Sequence, residues 1–287
     1  MTTAEPTTTP KPRRRWLQFS LRTLMVLILV FGCGLGWLAR EVHRARAQRK
    51  AAKAIEKLGG AVDWGPTSDG VIPSAVAWLG TLFGEDLSLD VTWVGLDLTQ
   101  VSDAGLVHLR GLTQLWGLNL SDTQVTDAGL VHLRGLTQLW TLDLGSTQVT
   151  GAGLVHLQGL TQLTRLNLSN THVTDGGLAH LQGLTQLRGL DLSSTQVTDA
   201  GLEHLKGLTQ LQRLHLTKTQ VTGAGLEHLR GLTQVWRLDL SNTQVTDAGL
   251  EHLRGLQLTV LNLSNTQVTD AGVKELERAL PHTRIDH

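Results

Sequence analysis

The sequence predicts an α/β solenoid, with a parallel β-sheet on a concave face and short helices on a convex face, preceded by one transmembrane helix. Two observations support this prediction. A leucine-containing pattern recurs every 24 residues over most of the chain, and an apolar run of 17 residues without a charge lies near its start. Repeats of this length stack so that each unit buries its apolar side chains only against its neighbours.

Each repeat approximates Leu-x-x-Leu-x-Leu-x-x-Thr-Gln-Val-Thr-Asp-Ala-Gly-Leu-x-His-Leu-x-Gly-Leu-Thr-Gln. The alternation in Leu118-Asn119-Leu120 predicts a strand with one buried face. The Thr-Asp pair opens a helix, and Gly135, which tolerates a left-handed conformation, is predicted to end it. Complete copies begin at Leu115, Leu139, Leu163, Leu187, Leu211 and Val235, a shortened one begins at Leu258, and an imperfect one begins at Trp93.

A hydroxyl precedes every predicted repeat helix. The next residue is usually Asp but is Gly at positions 151 and 223, so the hydroxyl is predicted to be the N-cap, worth about 1 kcal/mol. The Asp is expected mainly to favour the helix dipole. The hydroxyl residues are Ser102, Thr126, Thr150, Thr174, Thr198, Thr222, Thr246 and Thr269.

The motif Leu118-x-Leu120-x-x-Thr123-x-Val125 resembles the leucine-rich repeat, with Thr where that family usually has Asn or Cys. We expect this buried hydroxyl to bond backbone groups of the adjacent coil. The resemblance covers roughly residues 93–280. The Thr-Asp-Ala-Gly-Leu helix start is similar to F-box-type leucine-rich repeats, but we see no F-box-like module before the repeats. The whole arrangement resembles bacterial membrane-anchored leucine-rich-repeat proteins, a group without a general biochemical activity.

The N-terminal region predicts a disordered basic tail at 1–22, a transmembrane helix at 23–39 and a solvated basic juxtamembrane helix at 40–60, which Gly59-Gly60 ends. Seventeen residues is the lower limit for crossing a bilayer core of about 30 Å. We therefore expect a single-pass membrane protein. A cleaved signal peptide is the alternative, because Ala45-Arg46-Ala47 resembles a cleavage site.

Two properties of the predicted span stay open. Five Lys or Arg residues precede it and seven follow closely, so the side of the membrane that the repeats occupy is undetermined. Gly32 and Gly36 form a GxxxG pair that would let two spans pack as a dimer.

The two ends of the solenoid need atypical caps, because a terminal coil would otherwise expose its core. Residues 61–92 are predicted to form the N-terminal cap, with a short apolar helix at Pro73 to Phe83. The repeats proper occupy 93–272. Residues 273–287 form the predicted C-terminal cap, with a helix from Val273 to Leu280.

Composition and motifs argue against several functions. Residues 1–57 contain 12 of the 25 Lys and Arg but only 3 of the 25 Asp and Glu, so the repeat body is acidic and unsuited to nucleic acid. Cys33 is the only cysteine, which excludes a disulfide framework. Phosphate-loop, zinc-protease and nucleophile-elbow motifs are absent, so we predict a non-enzymatic chain without cofactor or metal.

One histidine per repeat, from His108 to His252, suggests a metal site at first sight. A metal needs its ligands within about 2.1 Å, whereas helices of adjacent coils pack about 8–10 Å apart. These histidines are therefore expected to be structural, and they would weaken the solenoid below about pH 6 if partly buried.

The strand positions beside the buried leucines vary most between copies and carry Trp, Arg and Asx residues. Trp and Arg are frequent anchors of binding surfaces, so these positions predict a site for a protein or peptide partner. A self-associating structural protein of the cell envelope, or a glycan-binding protein, are the alternatives. The predicted partner-binding residues are Trp116, Asn119, Trp140, Asp143, Arg165, Asn167, Arg188, Asp191, Arg213, His215, Trp236, Arg237 and Asp239.

Overall fold

The computed structural model describes residues 21–66 and 89–287, with side-chain surroundings omitted for 21–24 and 26–31. The predicted tail as far as residue 20 and the predicted helix at Pro73 to Phe83 lie outside these residues. The chain divides into two compact units, Met1–His43 and Arg44–His287.

The first helix, α1, extends from Leu21 to Lys57 without a break. Within the part of the chain that the structure describes, no helix is both long and apolar enough to span a membrane. The predicted transmembrane helix at 23–39 therefore finds no support in the structure. A Cβ built on Gly32 or Gly36 would meet no atom within 4 Å, and dimerisation through this pair stays a prediction.

The C-terminal part of α1 belongs to the second unit and covers the first coil. Ala52 and Ile55 are buried in the common hydrophobic core, so this part of the helix is not simply solvated. The Gln48 amide donates to Asp90 Oδ1 at 2.5 Å, and its carbonyl oxygen accepts from the Val91 backbone N–H at 2.7 Å. Gly59 ends the helix with φ of 87°, as the sequence predicted.

The described residues contain ten strands in one sheet, arranged in the order of the sequence. The first pair is antiparallel and all later neighbours are parallel. The strands are β1 (Ala61–Pro66), β2 (Leu89–Gly95), β3 (Gly117–Asn119), β4 (Thr141–Asp143), β5 (Arg165–Asn167), β6 (Gly189–Asp191), β7 (Arg213–His215), β8 (Arg237–Asp239), β9 (Val260–Asn262) and β10 (Arg284–Asp286).

Short helices alternate with these strands, which confirms the predicted α/β solenoid with parallel strands. The α-helices after α1 are α2 (Asp127–Leu130), α3 (Asp175–Leu178), α4 (Asp199–Leu202), α5 (Asp247–Leu250) and α6 (Asp270–Ala279). The 3₁₀ helices are Asp103–Leu109, Val131–Leu133, Gly151–Leu157, Ala179–Leu181, Glu203–Leu205, Ala224–Leu229 and Glu251–Leu253.

The core is a continuous stack of aliphatic side chains. In the coil that begins at Leu115, Leu118 of β3 and Leu120 just after it share the core with Leu130 and Leu133 from the helices, and each is at most 1% exposed. Strand β10 pairs with β9 and ends the sheet. The sequence analysis predicted helix α6 but not this last strand.

A buried threonine closes the turn after each strand from β3 to β8. Thr123 Oγ1 donates to the Leu120 carbonyl at 2.6 Å, and its equivalents in later coils do the same. The hydroxyl thus bonds the backbone of its own coil, and the expected bond to the adjacent coil is wrong. A side chain as short as Thr suffices because the carbonyl lies only three residues earlier.

The residue before this threonine adopts a left-handed conformation in each coil. Its φ is between 54° and 57°, although the position holds Asp, Ser, Asn, Lys or Leu rather than Gly. Gly135, in contrast, does not have a positive φ, so the expectation that it ends the helix in that conformation is wrong. The left-handed residues are Leu98, Asp122, Ser146, Asn170, Ser194, Lys218, Asn242 and Asn265.

The helix-start aspartate joins successive coils. Asp127 Oδ1 accepts from the backbone N–H of Thr150 at 2.8 Å, and its Oδ2 accepts from the Thr150 hydroxyl at 2.6 Å. The same pair of bonds recurs at four other junctions. At the last of these the bonds from Thr269 hold the pKa of Asp247 below its usual value. The sequence thus predicted a dipole role for this Asp but not its bonds to the Thr of the next coil.

The same junctions decide which hydroxyls cap a helix. Thr150 accepts from the Ala152 backbone N–H at 3.2 Å while it donates to Asp127. Thr174 and Thr246 follow the coils in which Gly151 and Gly223 replace the aspartate, and neither makes a side-chain cap bond. Donation to the carboxylate turns a hydroxyl lone pair towards the helix, so the predicted cap forms only where the preceding coil has Asp.

Candidate binding surface on the strands

Strand register places the predicted partner-binding residues that lie on strands in two columns, and the other four, Trp116, Trp140, Arg188 and Trp236, come just before their strands. One column contains Arg165, Gly189 and Arg213 on three successive strands, and the other contains Asn167, Asp191 and His215. Adjacent strands lie about 4.8 Å apart, and the columns, two residues apart along each strand, are about 6.7 Å apart. We call the surface formed by these columns and the residues just before the strands the sheet face. The strand leucines between the columns are buried.

An open depression of about 410 Å³ crosses four strands of the sheet face. Gly189 lies in its floor, where a built Cβ would meet only Arg165 Cγ, at 3.7 Å. Six of the predicted residues line the depression. They are Asp143, Arg165, Asn167, Asp191, Arg213 and His215. The structure thus brings these six together, whereas Trp116, Asn119, Trp140, Arg188, Trp236, Arg237 and Asp239 do not line it.

Gly189 lines the depression and leaves open space where a side chain would lie, and this residue was not among the predicted site residues. The signal was present in the sequence, because a glycine stands between two arginines in one column. Thr141 also lines the depression and was not among the predicted residues.

The Asx column has a structural role as well as an exposed one. Asp143 Oδ1 accepts from the Gly145 backbone N–H at 2.9 Å and from the Asn167 amide at 2.9 Å. Asp191 accepts in the same way from the Ser193 backbone N–H. Six members of this column therefore stabilise the turn after their strand. Their identity as Asp or Asn needs no partner to explain it.

Asp239 shows how strongly this turn favours a charged side chain. Burial raises the pKa of its carboxyl, but hydrogen bonds from Ser241, Thr217 and Asn262 outweigh that effect and leave the pKa below its usual value. The Asp239 carboxyl is thus ionised at neutral pH.

The arginines of the sheet face, in contrast, have no carboxylate partner among the residues that the structure describes. Arg165, Arg188 and Arg237 form no ion pair within the ranges 21–66 and 89–287, whereas Arg254 bonds Glu251 and Glu275. Arg213 lies over the Trp236 ring, with 5.8 Å from its guanidinium carbon to the ring centroid. Stacking of this kind holds a guanidinium in place while its N–H groups remain available.

Two tryptophans before the first repeat strands are exposed. Trp116 is 45% and Trp140 is 57% accessible, on adjacent coils. Both are linked through the backbone, since the Trp140 N–H donates to the Trp116 carbonyl at 2.8 Å. The sheet face is therefore aromatic towards its N-terminal end and rich in arginine over the following coils.

Five histidines of the repeats bond polar side chains of the preceding coil, and they are His132, His156, His180, His204 and His252. His156 Nδ1 accepts from Arg134 Nε at 3.0 Å, and His132 Nδ1 accepts from Arg110 Nε at 2.7 Å. Burial, followed by the nearby guanidinium, lowers the pKa of both histidines. Among the residues described, no three His, Cys, Asp or Glu side chains are grouped as metal ligands.

The sequence of the coils matches known repeats. A model of the leucine rich repeat matches residues 185–245, and a second matches residues 159–181 and 258–276. These units are leucine-rich repeats. A comparison with curated protein sequences gives no match.

Solved structures show a similar fold. The crystal structure of an internalin (inlF) from Listeria monocytogenes is 26% identical, with a TM-score of 0.51, and the match covers 65% of this chain and 57% of that one. An internalin C2 (inlC2) from the same species is also 26% identical, with a TM-score of 0.54 and coverage of 74% and 92%. This chain therefore spans little more than half the length of the first internalin. The F-box-type likeness of the helix start stays a prediction.

Proposed function

We propose that this chain is a non-enzymatic protein-interaction module that binds a protein partner through its sheet face. The leucine-rich repeats and the likeness to internalin structures support a role of this class. The observation that carries the proposal is the open depression in which Arg165 and Arg213 flank Gly189 and form no ion pair with any residue of 21–66 or 89–287. A charged group without a partner on a rigid sheet is available to a ligand without rearrangement of the protein.

Exposed tryptophans extend the same surface. Trp116 and Trp140 would supply apolar contact area beside the arginines, and the two residue types together are typical of interface anchors. The surface is also rigid, because each strand is held on both sides by parallel neighbours.

Photo-crosslinking from defined positions tests this function. A benzoylphenylalanine replaces Thr141 on the sheet face of the full chain in its native cells, and a matched chain carries it at Glu203 on a helix. We expect a discrete crosslinked protein from position 141 only, and its loss when Trp116, Trp140 and Arg165 are all changed to Ala. Equal crosslinking from both positions would contradict the proposal.

A structural, self-associating protein is the second candidate, because the coils repeat the same register and the same hydrogen bonds. Crosslinks from position 141 to a second copy of the chain, rather than to another protein, would favour it.

We also propose that the apolar run 23–39 attaches the chain to a membrane. This proposal rests on the absence of charge over 17 residues of the sequence. Extraction of membranes at alkaline pH tests it, because the full chain should stay in the pellet while a chain lacking 23–39 is released. Release of both chains would contradict it.

A further inference from the structure

We propose that the sheet face binds an extended segment of the partner in which an acidic residue and a basic residue are two positions apart. The acidic side chain lies over Gly189 between Arg165 and Arg213, and the basic one bonds Asp191. This inference rests on the proposed function and specifies the chemistry of its partner.

The gap above Gly189 has the size and charge of a carboxylate site. Arg165 and Arg213 are two strands apart, so their Cα atoms are about 9.6 Å apart and a carboxylate placed midway meets a guanidinium on each side. Both side chains line the depression, and Gly189 leaves the space between them open. Arginine forks bind carboxylates through paired N–H donors, which makes this anion the preferred occupant.

The other end of the depression has the opposite charge. Asp143 and Asp191 line it, and each uses Oδ1 to accept from a turn amide. The second oxygen of Asp191 receives no bond within the described part of the chain, so it can accept from a cation or an N–H donor. His215 continues the column on the next strand.

The distance between the two charges matches an extended peptide. The arginine and Asx columns are two residues apart on each strand, or about 6.7 Å, and side chains two residues apart on an extended segment have the same spacing and point the same way. A segment that lies along the strands can therefore satisfy both columns at once. Double-stranded or single-stranded nucleic acid would place phosphates against Asp143 and Asp191, which disfavours it.

Selection from a random 12-residue peptide library displayed on phage tests this inference. The full chain, kept in a non-ionic detergent because of its apolar run, is the bait. We expect selected peptides to be enriched in Asp or Glu with Lys or Arg two positions away. A bait with Arg165→Gln and Arg213→Gln should lose the acidic preference, and one with Asp143→Asn and Asp191→Asn should lose the basic preference.

Affinities of the best selected peptide give the quantitative test. Gly189→Leu fills the gap without a change of charge and should weaken binding about tenfold or more. The double variant Lys274→Gln and Arg278→Gln is the control for Arg165→Gln and Arg213→Gln. It also removes two positive charges, but from exposed positions of α6, and should leave the affinity unchanged. Far-UV circular dichroism of each variant checks that the solenoid is intact.

The possible failures are distinct. Peptides without an acidic preference, or peptides that bind Arg165→Gln/Arg213→Gln as well as the unchanged chain, would overturn this inference. So would the absence of any selected peptide. After any of these outcomes, the proposed function stands if crosslinking from position 141 identifies a partner protein. The proposed function also fails if that crosslinking identifies no protein.

Discussion

The bond between Asp127 and Thr150 provides a direct test of what joins the coils, because the chain contains a natural counterpart without it. Replacement of Thr150 by Val removes the hydroxyl that donates to Asp127 Oδ2 at 2.6 Å and accepts from the Ala152 N–H at 3.2 Å. Thr174 occupies the same position one coil later, but Gly151 replaces the aspartate there and the hydroxyl makes no cap bond. The same substitution at Thr174 is therefore a matched control.

The expected magnitude follows from the two bonds. A hydrogen bond to a charged group contributes about 1.5–3 kcal/mol and an N-cap about 1 kcal/mol. Thr150 is half-buried, so solvent reduces both contributions. We expect Thr150→Val to lower the free energy of unfolding by about 2 kcal/mol, and Thr174→Val to change it by less than about 0.5 kcal/mol, as for a surface substitution.

Urea unfolding followed by far-UV circular dichroism measures both effects as shifts of the midpoint at constant slope. Asp127→Ala completes a double-mutant cycle with Thr150→Val, and we expect a coupling of about 1 kcal/mol or more, as for side chains in direct contact. Equal midpoint shifts for Thr150→Val and Thr174→Val would refute this account. A coupling near zero would do the same, because the two groups would then act independently.

Three further substitutions test the packing, the histidines and the turns. Gly177→Ala should lower the free energy of unfolding by about 1–3 kcal/mol, because the new Cβ would overlap the Cα of Gly151. Gly176→Ala is the control, since a Cβ there meets nothing within 4 Å and should be neutral or stabilising. Equal thermal midpoints of the two variants would contradict this packing. Arg134→Gln should raise the pKa of His156 measured by NMR, since burial and then the guanidinium lower it from 6.5. Because the pKa of His156 is lower in the folded state, its contribution to stability is full above pH 6.5 and is lost as the pH falls towards the folded pKa. This loss of stability should be smaller in the Arg134→Gln variant. An unchanged pKa of His156 would exclude the guanidinium as a cause. Lys218→Asn should raise the free energy of unfolding in urea by about 0.5–1 kcal/mol, because Lys218 has φ of 56° and Asn tolerates this conformation better. An unchanged free energy would show that the turn is unstrained.

The periodic part of the fold could be predicted because its signals are local and repeated. Leucine alternation located the strands to within one residue, and the Thr-Asp start located the helices. The Asp127–Thr150 bond could not be predicted in the same way, because it joins residues 23 positions apart and depends on how the coils stack. The left-handed residues were hidden for another reason, since no glycine marks their position.

The candidate surface was predicted by column but not by shape. Variation between copies identified Arg165 and Arg213 as exposed. It did not identify Gly189, because a glycine at a variable position does not by itself indicate an open depression in the surface. The role of Asp143 in the turn was also missed, although its carboxylate oxygen accepts from an N–H only two residues away.

The identical register of successive strands has a consequence for the evolution of this chain. Arg165 pairs with Gly189 as Gly189 pairs with Arg213, so each coil presents the same backbone edge to the next. A deletion or insertion of 24 residues between two Asp–Thr junctions would rejoin equivalent edges and leave the core unchanged. The sheet face can accordingly be lengthened or shortened by recombination in whole coils, while single exposed residues change its chemistry.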